Sequence, residues 1–354
     1  MSDVLNPFDR AEFLKNSGWS NATESSVGED WSQRKIFRIE RNHRTAILMH
    51  AVPDDDPRAT PGHALKDFVA ISNYIRDIEC SAPEVYAQDL RKGLLLVEDF
   101  GHDVFADTIV SQPSVQMDLY GLATKTLIHL YHKTESVAVE IPDYFKGHIH
   151  KGRSRVVDWY MPAVLERPNP DGMTDDFLAV LASIEKKLPP VRRRFLHADY
   201  HLGNLMWLPA RNGIQQTGLV DFQGALIGPA PYDLVNLLDD ARRIVPEDIR
   251  EYCLNKFYQE LKSEDAESFQ AWYPVLACHF HCRVIGQAIK LAVLNNKTRL
   301  MDLIPILRHH LRRDLEHPVL APLKDWFRDV GVDFSVKTPI NLEKAAHFIR
   351  PDAS

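Results

Sequence analysis

Residues 195–222 leave this chain the least freedom. Phe195-Leu196 leads into HADYHLGN (197–204), residues 205–208 read as a strand, Asn212-Gly213 as a turn and residues 218–222 as a buried strand. Short apolar runs bounded by turn residues are the mark of a hairpin. The island is conspicuous because its surroundings are helical: apolar residues recur at helical spacing over 113–133, 154–162 and 175–187, and again from 246 onward. A strand-turn-strand unit returns its two far ends to one rim. Asp199 and Asn204, before the first strand, are therefore expected to meet Asp221, near the end of the second. Asp199 can orient a hydroxyl. Asn204 and Asp221 offer the hard oxygen ligands that magnesium takes together with substrate phosphates. His197 and His201 invite a different metal reading, but no cysteine or carboxylate cage accompanies them. A metal hydrolase fails on ligand count, and His197 is read as a core histidine supporting the loop.

The first hundred residues have another texture. Stretches 22–27, 35–41 and 45–52 read as strands, with a tight turn at Asn42-His43-Arg44. Stretch 61–78 spaces Leu65, Phe68, Val69, Ile71, Ile75 and Ile78 as a helix, and 83–86 and 93–97 read as two more strands. A short amphipathic helix is expected over 9–16. At 354 residues the chain exceeds what one compact core accommodates. The predicted organisation is α+β: a small β-rich lobe over 1–98 with an antiparallel sheet and a helix, a crossing at 98–101, and a larger, mostly helical lobe over 99–354.

Composition narrows the function by exclusion. A net charge of −7 gives no encouragement to nucleic acid or an anionic membrane surface. No apolar run approaches the roughly 20 residues of a membrane helix, and the acidic start, broken by Pro7, is not a secretory signal. Cys80, Cys253, Cys278 and Cys282 form no CxxC pair, so they are read as reduced thiols of a cytoplasmic protein.

HADYHLGNLMW followed by LVDFQGALIGPAPYDLVNLL resembles the aminoglycoside phosphotransferase family. Lobe order and the hinge-like LLLVEDFG fit the same family. DWSQRKIFR (30–38), ILMHAVP (47–53), DWYMP (158–162) and YDLVNLLDDARR (232–243) look similar to its amino-sugar kinases of bacterial cell-wall recycling, which phosphorylate the anomeric hydroxyl of N-acetylmuramate or N-acetylglucosamine. His50 and Gly224 depart from that subfamily, which often has Asp at both places.

The resemblance implies a two-lobed, protein-kinase-like fold and an ATP- and Mg2+-dependent transfer to a hydroxyl of a small-molecule acceptor. Asp199 would take the catalytic role beside the acceptor hydroxyl, and Asn204 and Asp221 would hold the metal. The third strand, TAILMHAV, lacks the lysine that protein kinases place there. Ser32 and Arg34 are the first choices to hold the phosphates, with Lys35 and Arg38 behind them. Adenine is expected between Leu96 and Phe100, with its edge on backbone groups of Glu98 and Phe100. Asp233 is expected to cap the following helix and brace the catalytic loop. Asp239 and Asp240, beside Arg242 and Arg243, are read as helix decoration ahead of substrate contact. Two rivals stand: an aminoglycoside kinase proper, which needs a strongly acidic cleft for a polycation, and a silent nucleotide-binding module.

Overall fold

The computed structural model describes residues 6–29, 34–59 and 64–349; Ser32 lies outside them. The N-terminal region is an antiparallel sheet of β1 (Thr23–Glu29), β2 (Lys35–Arg41), β3 (Arg44–His50), β4 (Val85–Asp89) and β5 (Leu94–Glu98), in the order β1-β2-β3-β5-β4. The turn joining β2 to β3 is tight because Asn42 and His43 both take the left-handed conformation, at φ 50° and 61°. That pair of positive φ values matches the twist of the flanking strands. The helix Leu65–Asp77 buries Leu65, Phe68, Ile71 and Ile75. Its first amides, those of Leu65 and Lys66, donate to the Asp54 carboxylate at 2.8 and 3.0 Å, a cap supplied from eleven residues upstream.

Strand alternation gives the sheet two unlike faces. Ile39, Ala46, Leu48, Leu94 and Leu96 pack with Phe13, Leu14 and Trp19 in one core. The other face carries Ile36, Arg38, Ile47, Met49 and Val97, brought side by side by the register Ile36↔Met49, Arg38↔Ile47 and Ile47↔Val97. Leu96 is thus a core residue on the first face, and the expectation that it stacks on adenine is corrected. Ile36, Ile47 and Met49 remain half-exposed on the second.

Arg38 ties this sheet to the segment after β5. Its Nε and Nη2 donate to the two carboxylate oxygens of Asp99 at 2.7 and 2.9 Å, and Nη2 also donates to the Gly101 carbonyl at 2.7 Å. Asp99 is nearly inaccessible. Burial pushes its carboxyl up, but the bonds from Arg38 and the Gly101 amide outweigh this and hold it below the usual carboxylate range.

The chain packs as two compact units: Met1–Glu140 with His197–Ala225, and Ile141–Leu196 with Leu226–Ser354. This division does not fall at residue 98, because the helix Gln116–Lys133 and the 197–225 segment join the N-terminal sheet. Thr126 Oγ1 meets Thr217 Oγ1 at 3.1 Å and Tyr200 Oη donates to the Ala123 carbonyl at 2.9 Å. The first unit also holds β7 (Leu205–Trp207) and β8 (Thr217–Leu219).

The second unit is mostly helical, with one small sheet of β6 (Arg193–Leu196) and β9 (Leu226–Pro229). Its longest element is the helix Ser263–Asn295. The helix expected over 154–162 is instead composite: a 3-10 turn Gly152–Ser154, a π-helical stretch Val156–Tyr160 and an α-helical turn Met161–Leu165. Asp239 and Asp240 do not decorate a surface. Asp239 is fully buried and accepts from Arg250 at 3.0 Å and Arg313 at 2.7 Å. Burial opposes its ionisation, and the two guanidiniums override it. Asp240 is also buried and pairs with Arg242 and Arg243. Asp233 is buried in the first turn of the helix Pro231–Leu238, whose N-cap is Ala230, so the capping role is corrected. There its charge still favours the positive end of the helix dipole.

Two outcomes are expected. Arg38→Met leaves Asp99 buried without its counter-charge, which costs on the order of 3–5 kcal/mol, read as a shift in the urea unfolding midpoint. The second concerns pH. Burial, aided by Arg10, pushes His50 down to about 4, and burial pushes His279 and His310 to about 3. As the pH falls below about 6.5, the unfolded chain takes up protons that the folded chain refuses. Stability is therefore lost from about pH 6.5 down to about 4 for His50 and about 3 for His279 and His310, with no contribution from these groups above about pH 6.5. Melting temperature followed from pH 7.5 to 5 should fall, and more shallowly in His50→Gln.

Candidate active site

The register of one short hairpin assembles the candidate site. β7 and β8 pair Leu205↔Leu219, Met206↔Gly218 and Trp207↔Thr217. The Val220 amide then donates to the Asn204 carbonyl at 3.2 Å. Asn204 thus stands at the end of the ladder, and Asp221 is one residue past it on the other strand. The second strand is shorter than the expected 218–222 because the backbone turns at Asp221, which takes φ 61°. Aspartate tolerates that left-handed geometry better than most residues.

Asn204 reaches back to Asp199. Its Nδ2 donates to the Asp199 carbonyl at 3.0 Å and to Asp199 Oδ2 at 3.1 Å. With the amide nitrogen so engaged, Oδ1 is the atom of Asn204 suited to ligate a cation. His201 accepts the Gly203 amide on Nδ1 at 3.0 Å, which puts its proton on Nε2, 3.5 Å from Asp199 Oδ2. Asp199 is therefore oriented from two sides while its side chain stays 44% exposed. The loop is strained just before it: Ala198 has φ 71°, a conformation costing on the order of 1–3 kcal/mol for a residue with a Cβ.

His197 is buried beneath this loop. Its Nε2 donates to the Val220 carbonyl at 2.9 Å, and its ring meets Tyr200 and Phe222 edge-on. Burial lowers its pKa, which keeps the ring neutral. Phe222 also packs on Phe68 of the helix Leu65–Asp77, at 4.8 Å between ring centroids. The Asp-Phe pair is anchored through its phenylalanine.

Asp221, 46% exposed, accepts from Gln223 Nε2 at 2.6 Å and lies 3.6 Å from Arg34 Nη2. Arg34 is buried, just ahead of β2. The arginine four residues on, Arg38, is committed to Asp99. Sequence alone left the two as alternatives, and the fold separates them. Asp99 was missed altogether. The available signal was its place in VEDFG at the end of a buried strand, where an unpaired carboxylate is costly.

The expected adenine contacts fare unevenly. The Glu98 amide donates to the Glu84 carbonyl at 2.8 Å, so its donor is already taken; the Glu98 side chain pairs with Arg211. The Phe100 ring lies 5.0 Å from the Arg211 guanidinium and against Gly218, where a Cβ would fall 2.7 Å from a ring carbon. Phe100 thus docks the segment after β5 onto the hairpin.

One further group could suggest a metal: ligand atoms of His150, Glu185 and His279 lie within 4.8 Å of one another. Arg153 argues against a cation there. Its Nη1 donates to His150 Nδ1 at 2.8 Å and its Nη2 lies 3.8 Å from Glu185, so the carboxylate already has its positive partner.

Among the described residues no helix is long and apolar enough to cross a membrane. Comparison with known proteins gives a consistent picture. The N-acetylmuramate/N-acetylglucosamine kinase of Caulobacter vibrioides is 28% identical over 345 residues, spanning 90% of this chain and 94% of its own. The protein of the same name from Pseudomonas aeruginosa is 24% identical, over 88% and 90% of the two chains. In fold, the chain is similar to the GDP complex of an aminoglycoside 2'-phosphotransferase at a TM-score of 0.58 with 12% identity, covering 87% of this chain and 98% of that one. It is likewise similar to a microcompartment-associated aminopropanol kinase, at a TM-score of 0.57 with 14% identity and coverage of 93% and 100%. The model of the APH family, described as a phosphotransferase enzyme family, matches residues 23–272. That span takes in the five-stranded sheet, the strained loop and the hairpin, and the chain belongs to this family.

Proposed function

We propose that this protein is an ATP- and magnesium-dependent kinase that phosphorylates a hydroxyl of an amino sugar, N-acetylmuramate or N-acetylglucosamine. The observation that carries the reading is the half-exposed Asp199 carboxylate, fixed by Asn204 and His201 on the same rim as Asp221. The names of the curated relatives support the acceptor class.

Asp199 accepts a hydrogen bond from the acceptor hydroxyl and aligns its oxygen for attack. A carboxylate is a weak base at neutral pH, which suffices when the phosphoryl transition state is loose and the proton leaves late. Asn204 Oδ1 and the Asp221 carboxylate supply the hard oxygen donors that suit magnesium. Bound there, the metal neutralises charge on the phosphate oxygens. Gln223 holds Asp221 in place for that task. Arg34 takes the duty of the absent third-strand lysine: its planar fork fits phosphate oxygens, and its ion pair with Asp221 keeps it beside the proposed metal ligands. The half-exposed face of Ile36, Ile47 and Met49 offers the apolar surface an adenine ring needs. Phe100 contributes backbone groups at its rim.

A coupled assay for ADP release over amino sugars, neutral sugars, choline, homoserine and aminoglycosides tests the reading. Turnover is expected on amino sugars. Turnover on aminoglycosides alone would replace the acceptor, and ATP binding without turnover on any acceptor would replace the enzyme by a binding module. Asp199→Asn should lower kcat by roughly 10²–10⁴ while ATP affinity by calorimetry stays near wild type. Arg34→Ala should instead weaken ATP binding, by about 1.5–3 kcal/mol for the loss of charge-assisted hydrogen bonds, with Arg34→Lys recovering part of it.

A further inference from the structure

The second unit brings together half-buried cations whose side chains have few hydrogen-bond partners among the described residues. The segment around Arg155 lies directly on the helix Ser263–Asn295. A Cβ at Gly286 would fall 2.1 Å from the Arg155 carbonyl oxygen, and one at Gly152 would lie 3.0 Å from Arg155 Nη1 and 3.1 Å from Arg283 Cγ. Two glycines thus let the backbones close and bring both arginine side chains over the same point. On that helix Arg283, Gln287 and Lys290 follow at intervals of four and three, one helical face. Lys290 Nζ sits 5.5 Å from the Trp159 ring centroid. All four polar residues are half-buried.

Their polar atoms are short of partners. Among the described residues Arg155 makes no hydrogen bond or ion pair, and Arg283 makes one long bond, Nη2 to Tyr232 Oη at 3.4 Å. Arg155 Nε, Arg283 Nε and Gln287 Oε1 are buried with no partner. The carboxylate that acts on Arg155 and Lys290 is Asp158, and its two oxygens already accept from Ser154 Oγ at 3.0 Å and Thr174 Oγ1 at 2.7 Å. Burial, then the like charge of Arg283, push the Arg155 guanidinium down to about 10, with Asp158 opposing. Burial and Arg155 likewise lower Lys290. Three other arginines of this unit do meet a carboxylate: Arg250 and Arg313 reach Asp239, and Arg153 faces Glu185. Crowding two guanidiniums in one half-buried place is unfavourable for folding alone, and perturbed charged groups cluster at functional sites.

We propose that Arg155, Arg283, Gln287 and Lys290 form a recess for the carboxylate of an acidic amino sugar. Guanidinium groups take a carboxylate through paired N–H donors, and Lys290 adds a third positive charge. Gln287 Oε1 is an acceptor, so it calls for an N–H or O–H donor beside the carboxylate, as on an N-acylated sugar acid and not on inorganic phosphate at full charge. The inference rests on the amino-sugar reading and deepens it: the protein distinguishes N-acetylmuramate, which carries a lactyl carboxylate, from neutral N-acetylglucosamine.

Calorimetric titration of the full chain with each sugar, for wild type, Arg155→Gln and Arg283→Gln, tests this. Wild type is expected to bind N-acetylmuramate more tightly than N-acetylglucosamine, and each variant to shrink that affinity ratio at least tenfold. Removing one of two like charges should also leave the melting temperature at or above wild type. A ratio that stays within twofold of wild type, equal wild-type affinity for the two sugars, or a lowered melting temperature with both affinities reduced alike overturns the recess. ADP release on N-acetylglucosamine reports separately on the kinase reading. If the variants lose the ratio while the wild type turns over no sugar, the recess stands and the kinase reading falls.

Discussion

The pairing of Leu205 with Leu219 is the constraint on which the rest of the candidate site depends. A hairpin ladder has a side-chain period of two, so a slip of one residue would send every side chain to the opposite face. In the observed register Asn204 meets Val220 across the ladder end and Asp221 turns out just beyond it. His197, under the same ladder end through Val220, and Phe222, packed on Phe68, fix that end from below. A left-handed Asp221 and a left-handed Ala198 then direct the two carboxylates outward. Two of the chain's left-handed residues thus fall at the candidate site, at Asp221 and next to Asp199.

The sheet solves a charge problem by the same alternation. Arg34, just ahead of β2, and Arg38, within it, lie four residues apart. Arg38 is consumed by Asp99 and so works as a clamp between the strand and the segment after β5. Arg34 is left beside Asp221. A chain that lacks a lysine on its third strand thereby keeps one buried cation next to its proposed metal ligands. His50 could not have served: burial holds it neutral at physiological pH, on the core face of β3 with Ala46 and Leu48.

Much of this was legible in the sequence, and for identifiable reasons. The five N-terminal strands and their helix were legible because apolar periodicity and turn residues are local signals. Asn42-His43 forms the expected tight turn for that reason. Element ends were less legible. The β8 strand stops at Leu219, short of the expected Phe222, because the backbone turns at Asp221, and the 154–162 stretch becomes a π-helical segment where it seats on Gly286. Charge partners were least legible. Asp239 looked decorative beside Arg242 and Arg243, yet its partners, Arg250 and Arg313, arrive from two separate helices.

By itself the sequence determined which residue types could do phosphoryl chemistry and, through the hairpin pattern, that Asp199, Asn204 and Asp221 would converge. Those features depend on spacing along one short stretch, which a linear pattern records. Only the tertiary structure decided which arginine faces Asp221, that Asp99 is a buried anchor, that Leu96 belongs to the core, and that Arg155 and Arg283 are crowded together. Each of these is set by which side chains distant segments bring into one low-dielectric environment. There a charge must find a partner or bear the cost, and the partner's identity is not written near it in the chain.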